Sequence, residues 1–298
     1  MKKDEFAFLI FDSEGSGKRL RGIKSFTLER KENEPDKLNI SMEYSFDLPI
    51  LRCPPDVERI YAEYDREEIF SGRIISYEVK TSANESVIEI TAKGKLNDLI
   101  ESEATPGVMK NPSAKGIEKL YLTGTGFSIC SDAVSFGEMN VDAGTSVFDL
   151  IKSYADEFLG MNAYVRRNKI YFSPVSTNIG GDYFKLNNAC VVSGKADSGQ
   201  VCENLRVMDN KSGQYVSSIE GEGFGVKYRS DITAEEKRDL LIRRVYSTLE
   251  FKEMFEDVFP GDIAEFRKMR VLVDTVNVSL KNGKINFVVS GYSLRGDE

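Results

Sequence analysis

The residue types that most often carry chemistry are unevenly supplied in this sequence. Histidine is absent from all 298 residues, which removes Ser-His-Asp and Cys-His nucleophile arrangements and imidazole-based zinc sites together. The four cysteines, Cys53, Cys130, Cys190 and Cys202, include no C-x-x-C pair, and a chain this long needs no disulfide to hold a core, so a reduced compartment fits. Asp and Glu number 48, so carboxylates meet by accident and no pair stands out as an acid–base couple. The sequence nominates no catalytic residue, no metal ligand and no cofactor-binding residue.

Three glycine-bearing stretches can be weighed as anion sites, because glycine lets backbone amides approach a phosphate closely. Thr123-Gly124-Thr125-Gly126 follows a short helical stretch, precedes the apolar Phe127-Ser128-Ile129 and lacks a Gly-Lys-Ser/Thr ending. Gly221-Glu222-Gly223-Phe224-Gly225 follows an extended run and puts a glutamate where a phosphate would sit. Both read as turns. In Gly15-Ser16-Gly17-Lys18-Arg19-Leu20-Arg21 basic residues cluster, and a solvated turn is the simpler reading.

A hydrophobic share of 41% with 30% charged residues belongs to a folding globular chain, long enough for two or three domains. The formal net charge of -8 disfavours tight binding to nucleic acid. Met1-Lys2-Lys3-Asp4-Glu5 and the short apolar run Phe6 to Phe11 do not make a signal peptide, and no run reaches the length of a membrane span. Synthesis and first use in the cytoplasm, without a membrane anchor, are expected.

The elements that would position any site are mostly strands. Phe6 to Phe11, Ile23 to Leu28 and Leu38 to Phe46 are short extended runs between turn residues. Val57–Tyr64, Glu68–Gly72, Arg73–Val79 and Ser86–Ala92 alternate apolar and polar residues as an antiparallel meander. Helical spacing enters at Leu96–Ile100 and Gly116–Tyr121. It is clearest over Val147–Phe158, with Ser146 able to cap the start and Gly160 the end. A hairpin follows, turning at Arg166-Arg167-Asn168-Lys169. Beyond it the pattern predicts strands near Ala189–Ser193, Val201–Met208 and Gln214–Ile219. A helix is expected at about Ala234–Leu249, with Thr233 and Glu236 at capping-box spacing. Strands close the chain at Ile263–Phe266, Met269–Val273, Thr275–Leu280 and Lys284–Val289. The fold class is β-rich α+β.

Val57 to Gly94 and Gly261 to Gly291 repeat one order of elements. Ile74-Ile75-Ser76-Tyr77-Glu78-Val79 parallels Val273-Asp274-Thr275-Val276-Asn277-Val278, and each is followed by a polar turn and a closing strand. The run Phe70-Ser71-Gly72-Arg73-Ile74 leading to Ile90 through Leu99, the segment Asp142 to Ile151 with its hairpin, and Phe259-Pro260-Gly261-Asp262-Ile263 carry a further likeness. In their order and spacing the chain resembles the baseplate hub proteins of contractile phage tails and related contractile injection systems, the late control protein D family.

That resemblance implies two similar antiparallel β-barrel domains, at residues 1–100 and 181–298, with a helix-containing α+β middle domain at 101–180 between them. It implies a homotrimer whose six barrels surround a channel, joining a sixfold tail tube or tube-initiator protein to a trimeric spike protein. DNA or cargo would pass through without tight binding, which an acidic channel suits. The subunit would be non-enzymatic, assembled in bacterial cytoplasm and carried in the tail baseplate of a virion or bacteriocin. A second reading is a carbohydrate- or peptidoglycan-binding module. Thirteen tyrosines suit it, while the absence of tryptophan counts against it. A third is a hydrolase acting through carboxylates alone.

Overall fold

Period-two burial sets the first strands. In the computed structural model Phe6, Phe8 and Ile10 face inward along β1 (Phe6–Asp12), and Phe26, Leu28 and Arg30 do so along β3 (Ile23–Lys31). The structure describes residues 6–12, 14–44, 57–82, 86–174, 183–186, 190–197, 204–209, 212–219, 226–230, 232, 246–252 and 254–294. The first unit is completed by β2 (Gly17–Arg19), β4 (Lys37–Glu43), β5 (Val57–Tyr64), β6 (Glu67–Thr81) and β7 (Ser86–Gly94).

A middle unit follows. It holds α1 (Leu96–Glu101), β8 (Gly107–Lys110), α2 (Ala114–Ile117) running into a π-helical turn at Glu118–Leu122, β9 (Ser128–Ile129), β10 (Glu138–Val141), α3 (Val147–Leu159), β11 (Met161–Arg166) and β12 (Lys169–Pro174). The last third contributes β13 (Tyr183–Lys185), β14 (Cys190–Asp197), β15 (Asn204–Asp209), β16 (Gln214–Ile219), β17 (Val226–Arg229), β18 (Tyr246–Lys252), β19 (Ile263–Phe266), β20 (Met269–Lys281) and β21 (Lys284–Leu294).

The outer thirds share one sheet. Among the described residues it has 13 strands, in the order β14-β18-β21-β20-β3-β4-β7-β6-β5-β1-β2, with β19 on β20 and β13 on β19. The join is the antiparallel pair β20·β3, Thr275 opposite Lys31 through Leu280 opposite Phe26. One hydrophobic core runs beneath both ends, and Phe255 bridges them, its ring 4.7 Å from Tyr64, 5.7 Å from Phe6 and 6.0 Å from Phe287. The middle unit has its own core around Leu99, Ile117, Leu150, Ile151 and Ile170. It docks on the last third through the stacked rings of Tyr164 and Tyr171, which pack with buried Leu272.

The expected helix in the middle unit forms with both caps. Ser146 Oγ accepts from Asp149 N at 3.0 Å, and Gly160 closes α3 in the left-handed conformation, φ 61°. Two expectations are corrected. Glu68–Gly72 with Arg73–Val79, and Met269–Val273 with Thr275–Leu280, are not pairs of separate strands but the continuous β6 and β20, each bent by a bulge. Gly72 makes no turn; it sits where a Cβ would overlap the Lys93 carbonyl of the paired strand. The helix expected at about Ala234–Leu249 does not reach its stated end, because Tyr246–Lys252 is β18, with Ser247, Leu249 and Phe251 buried on alternate residues between β14 and β21. Residues 233–245 lie outside the described residues.

The two repeat segments are folded alike. β5-β6-β7 and β19-β20-β21 are both antiparallel meanders. Each first hairpin turns on two left-handed non-glycine residues, Asp65 (φ 49°) with Arg66 (φ 71°), and Arg267 (φ 46°) with Lys268 (φ 71°), the geometry of a type I′ turn. Each middle strand then slips register at one residue, between Ile74 and Ser76 and between Val273 and Thr275. These bulges fall on the residues the sequence parallel sets together, Ile75 and Asp274. The glycines that end the two segments differ in place: Gly94 stands opposite Gly72, whereas Gly291 stands opposite Val273 beside the bulge.

Candidate functional site

The second bulge leads to a polar junction where all three parts of the chain meet. At its centre Arg30 is fully buried, at the third inward position of β3 after Phe26 and Leu28. A guanidinium there must have every side occupied. Nη1 donates to Asp257 Oδ1 and to the Val258 carbonyl, each at 2.9 Å, and Nη2 donates to the Ile69 carbonyl of β6. Nε faces Asp36 Oδ2 at 3.5 Å as an ion pair without a hydrogen bond, and the Phe259 ring lies 4.0 Å from the guanidinium carbon.

The middle unit reaches the same place through its hairpin turn. Arg167, left-handed at φ 54°, donates from Nη2 to Asp257 Oδ2 at 2.8 Å, so one carboxylate joins Arg30 to Arg167. Arg166 Nη1 meets Asp262 Oδ1 at 3.0 Å. Asp262 is buried, and its other oxygen accepts from Phe259 N at 2.8 Å, closing the Phe259-Pro260-Gly261-Asp262 turn. Gly261 N donates to Val273 O and Val273 N to Asp262 O, which fastens this turn to β20 just before its bulge. The carbonyl of bulge residue Asp274 in turn accepts from Glu32 N at 3.3 Å.

Electrostatics at the junction are balanced unevenly. Burial pushes the Asp36 carboxyl up to about 6 from 3.8, and Asp257 adds to the rise while Arg30 opposes it. The Asp36 side chain is nonetheless 31% exposed, so solvent moderates that shift. Beside Asp36 opens a cleft of 440 Å³ lined by Phe70, Gly94, Leu96, Arg167 and Phe259 among others. Segments that carry the hub resemblance therefore converge: the Phe70 run, the Gly94-to-Leu96 stretch and the Phe259 turn share one cleft. The Asp142–Ile151 segment forms the start of α3, against α1.

The glycine stretches resolve as follows. In the turn after β1, Asp12 Oδ1 accepts from Glu14 N and Ser16 N at 3.0 and 2.7 Å, so a carboxylate of the chain already holds the amides an anion would use. In Thr123–Gly126 the Thr125 hydroxyl donates to Leu122 O, and Gly124 and Gly126 are left-handed turn residues. Gly221–Gly225 lies outside the described residues. Among the described residues no group of three or more His, Cys, Asp or Glu is arranged to hold a metal ion, and no helix is long and apolar enough to cross a membrane.

Sequence reasoning missed the junction. Its one local signal is Arg30, a charge at an inward strand position. Arg166 and Asp262 lie in the hairpin turn and the Phe259–Ile263 run already marked in the sequence, but nothing local pairs them, and Asp257, 227 residues from Arg30, carries no local mark.

This architecture is found in solved tail proteins over almost the whole chain. The prophage MuSo2 43 kDa tail protein from Shewanella oneidensis aligns with TM-score 0.70 at 13% identity, covering 98% of this chain and 98% of that one. A tail protein from Neisseria meningitidis aligns with TM-score 0.69 at 9% identity, covering 98% and 97%. The E. coli c3393 protein, a type VI secretion component with structural similarity to the T4 tail proteins gp27 and gp5, aligns with TM-score 0.58 at 10% identity, covering 92% and 74%. No family model matches the chain, and no curated protein matches it. The chain has the β-rich fold of phage tail and type VI secretion proteins, and the resemblance drawn from its sequence holds at the level of that fold.

Proposed function

We propose that the chain is a non-enzymatic baseplate hub subunit of a contractile tail or injection machine. It trimerises and joins a sixfold tail tube, or a tube initiator, to a trimeric spike. The outer thirds, residues 1–100 and 181–298, act as two similar β-barrels, and residues 101–180 brace them. Three chains then present six β units around a channel through which DNA or cargo passes without tight binding. Assembly takes place in the bacterial cytoplasm, and the finished hub resides in the baseplate.

The doubled meander carries this reading. Both copies have the same turn geometry and a bulge at the corresponding residue, on a fold shared end to end with tail proteins. A closed ring of identical chains needs contacts between unlike faces, and two related β units per chain let a threefold assembly meet a sixfold tube. The buried junction suits the same role, since one guanidinium ties both β units, Asp257 links it to Arg167 of the middle unit, and the network resists their separation under load.

Light scattering of the purified chain, alone and mixed with its spike, tests the proposal. A threefold mass is expected for the chain itself or on adding the spike. A stable dimer under every condition overturns it.

A further inference from the structure

The two copies of the doubled meander are completed differently. In the second copy, the half of β20 beyond the bulge pairs with β21 on one side and with β3 on the other, Thr275 opposite Lys31 through Leu280 opposite Phe26. Val276, Val278 and Leu280 are buried there. In the first copy, the matching half of β6, Ser76 to Thr81, pairs with β7, and among the described residues no strand pairs with its other edge. The positions that correspond to the three buried residues hold Tyr77, half-buried, Val79, 37% exposed, and Thr81, exposed. A strand edge with unpaired backbone groups and an apolar side chain left in water is where a further strand adds.

The chain also carries the strand that fits this edge. Along β3, Ile23 stands opposite Met42 of β4, the register slips by one residue, and Ser25, Phe26, Thr27 and Leu28 then face Ser41, Ile40, Asn39 and Leu38. Along β14, Val191 stands opposite Phe251 of β18, the register slips in the same place, and Ser193, Gly194, Lys195 and Ala196 face Glu250, Leu249, Thr248 and Ser247. Behind them Ile40 meets Ile90 and Leu249 meets Val289, which stand opposite Tyr77 and Val276 respectively. Strand β14 is therefore the second unit's counterpart of β3. It ends the sheet, and among the described residues it pairs only with β18. Six strands separate β14 from β6 within the chain, so a second copy supplies the partner for each edge.

We propose that β14 of one copy adds to the open β6 edge of the next, repeating between chains the β3·β20 join made inside each. This rests on the trimeric reading above and names the strands that close the ring. Carrying the β3·β20 register across sets Gly194 opposite Thr81, Lys195 opposite Lys80 and Ala196 opposite Val79. The Lys80 ammonium is already held by Glu89 at 2.6 Å and Glu78 at 3.4 Å, so Lys195 meets a neutralised neighbour. Because the joined edges are unlike, the contact runs head to tail and closes a ring rather than a twofold dimer.

A chain carrying both Val79→Cys and Ala196→Cys tests the register, since residues directly opposite in an antiparallel pair lie within disulfide reach. Mild oxidation, with and without spike, is expected to give covalent trimers on a non-reducing gel. Wild type, each single variant and the displaced pair Val79→Cys with Lys195→Cys should run as single chains. Separately, Val79→Lys places a charge at the inward position of the edge and should weaken self-association about tenfold or more by light scattering. If the chain trimerises but the matched pair cross-links no better than the displaced one, or Val79→Lys trimerises as well as wild type, this inference fails and the hub reading stands. A disulfide formed within a single chain would also overturn it. If the wild type trimerises neither alone nor with spike, the hub reading falls and takes this inference with it.

Discussion

Replacing Arg30 by methionine should destabilise the whole chain far more than any surface ion pair would. Methionine keeps most of the length and fills apolar space, but it withdraws the donors reaching the Ile69 and Val258 carbonyls and Asp257. A buried acceptor stripped of its donor loses about 1–3 kcal/mol. Asp257 keeps Arg167, which limits the electrostatic part, while Asp36 loses the cation that holds its pKa down. The expected loss is about 3–5 kcal/mol, the range for breaking a buried ion pair from one side. Equilibrium urea unfolding followed by circular dichroism measures it, with intrinsic tyrosine emission as a second probe of whether the units unfold together. Arg30→Lys should recover only part of the loss, since an ammonium cannot serve two carbonyls and a carboxylate with a planar fork. Arg167→Ala is the internal contrast. It removes a partner of the same Asp257 carboxylate, yet its own side chain is 64% exposed, so less than about 1 kcal/mol should follow. If Arg30→Met unfolds within about 1 kcal/mol of wild type, the junction is not what holds the parts together.

Three further outcomes follow from named contacts. Because folding raises the Asp36 pKa from 3.8 to about 6, the folded state keeps that proton longer, so Asp36 makes stability fall as pH rises between those values. After allowance for solvent the change is about 1–2 kcal/mol, and Asp36→Asn should flatten that part of a pH series of urea midpoints. Gly291→Ala should lower stability by about 2–3 kcal/mol in the same assay, because its Cβ would overlap the Leu272 carbonyl and backbone cannot move aside as a side chain would. Ser146→Ala removes the cap of α3 and should cost about 1 kcal/mol, read as faster hydrogen exchange in the first turn of that helix.

Elements governed by local periodicity were legible in the sequence. The bounds of β5, β16 and β19 follow from alternation, and α3 announces itself by its apolar stripe, its Ser146 cap and its terminal Gly160. Local signals misled where tertiary pairing decides. Gly72 resembles a turn residue but is required by a passing carbonyl, and Asp274 interrupts an apolar run without ending the strand, because a bulge absorbs it. The expected helix runs on through Tyr246 to Leu249, yet strands on both sides impose period two there. The repeat was visible as order and spacing, and the structure adds its matching turns and bulges. The junction stayed hidden because ion pairs between residues 30 and 257, or 166 and 262, leave no trace in any window of sequence.

The central claim is tested most directly by electron microscopy of the chain bound to its spike, viewed along the particle axis. The hub account predicts three chains presenting six β units around an open channel, with the Val57–Gly94 and Gly261–Gly291 meanders alternating in equivalent places. A dimer, or a threefold ring in which only one of the two meanders per chain faces the channel, would contradict it.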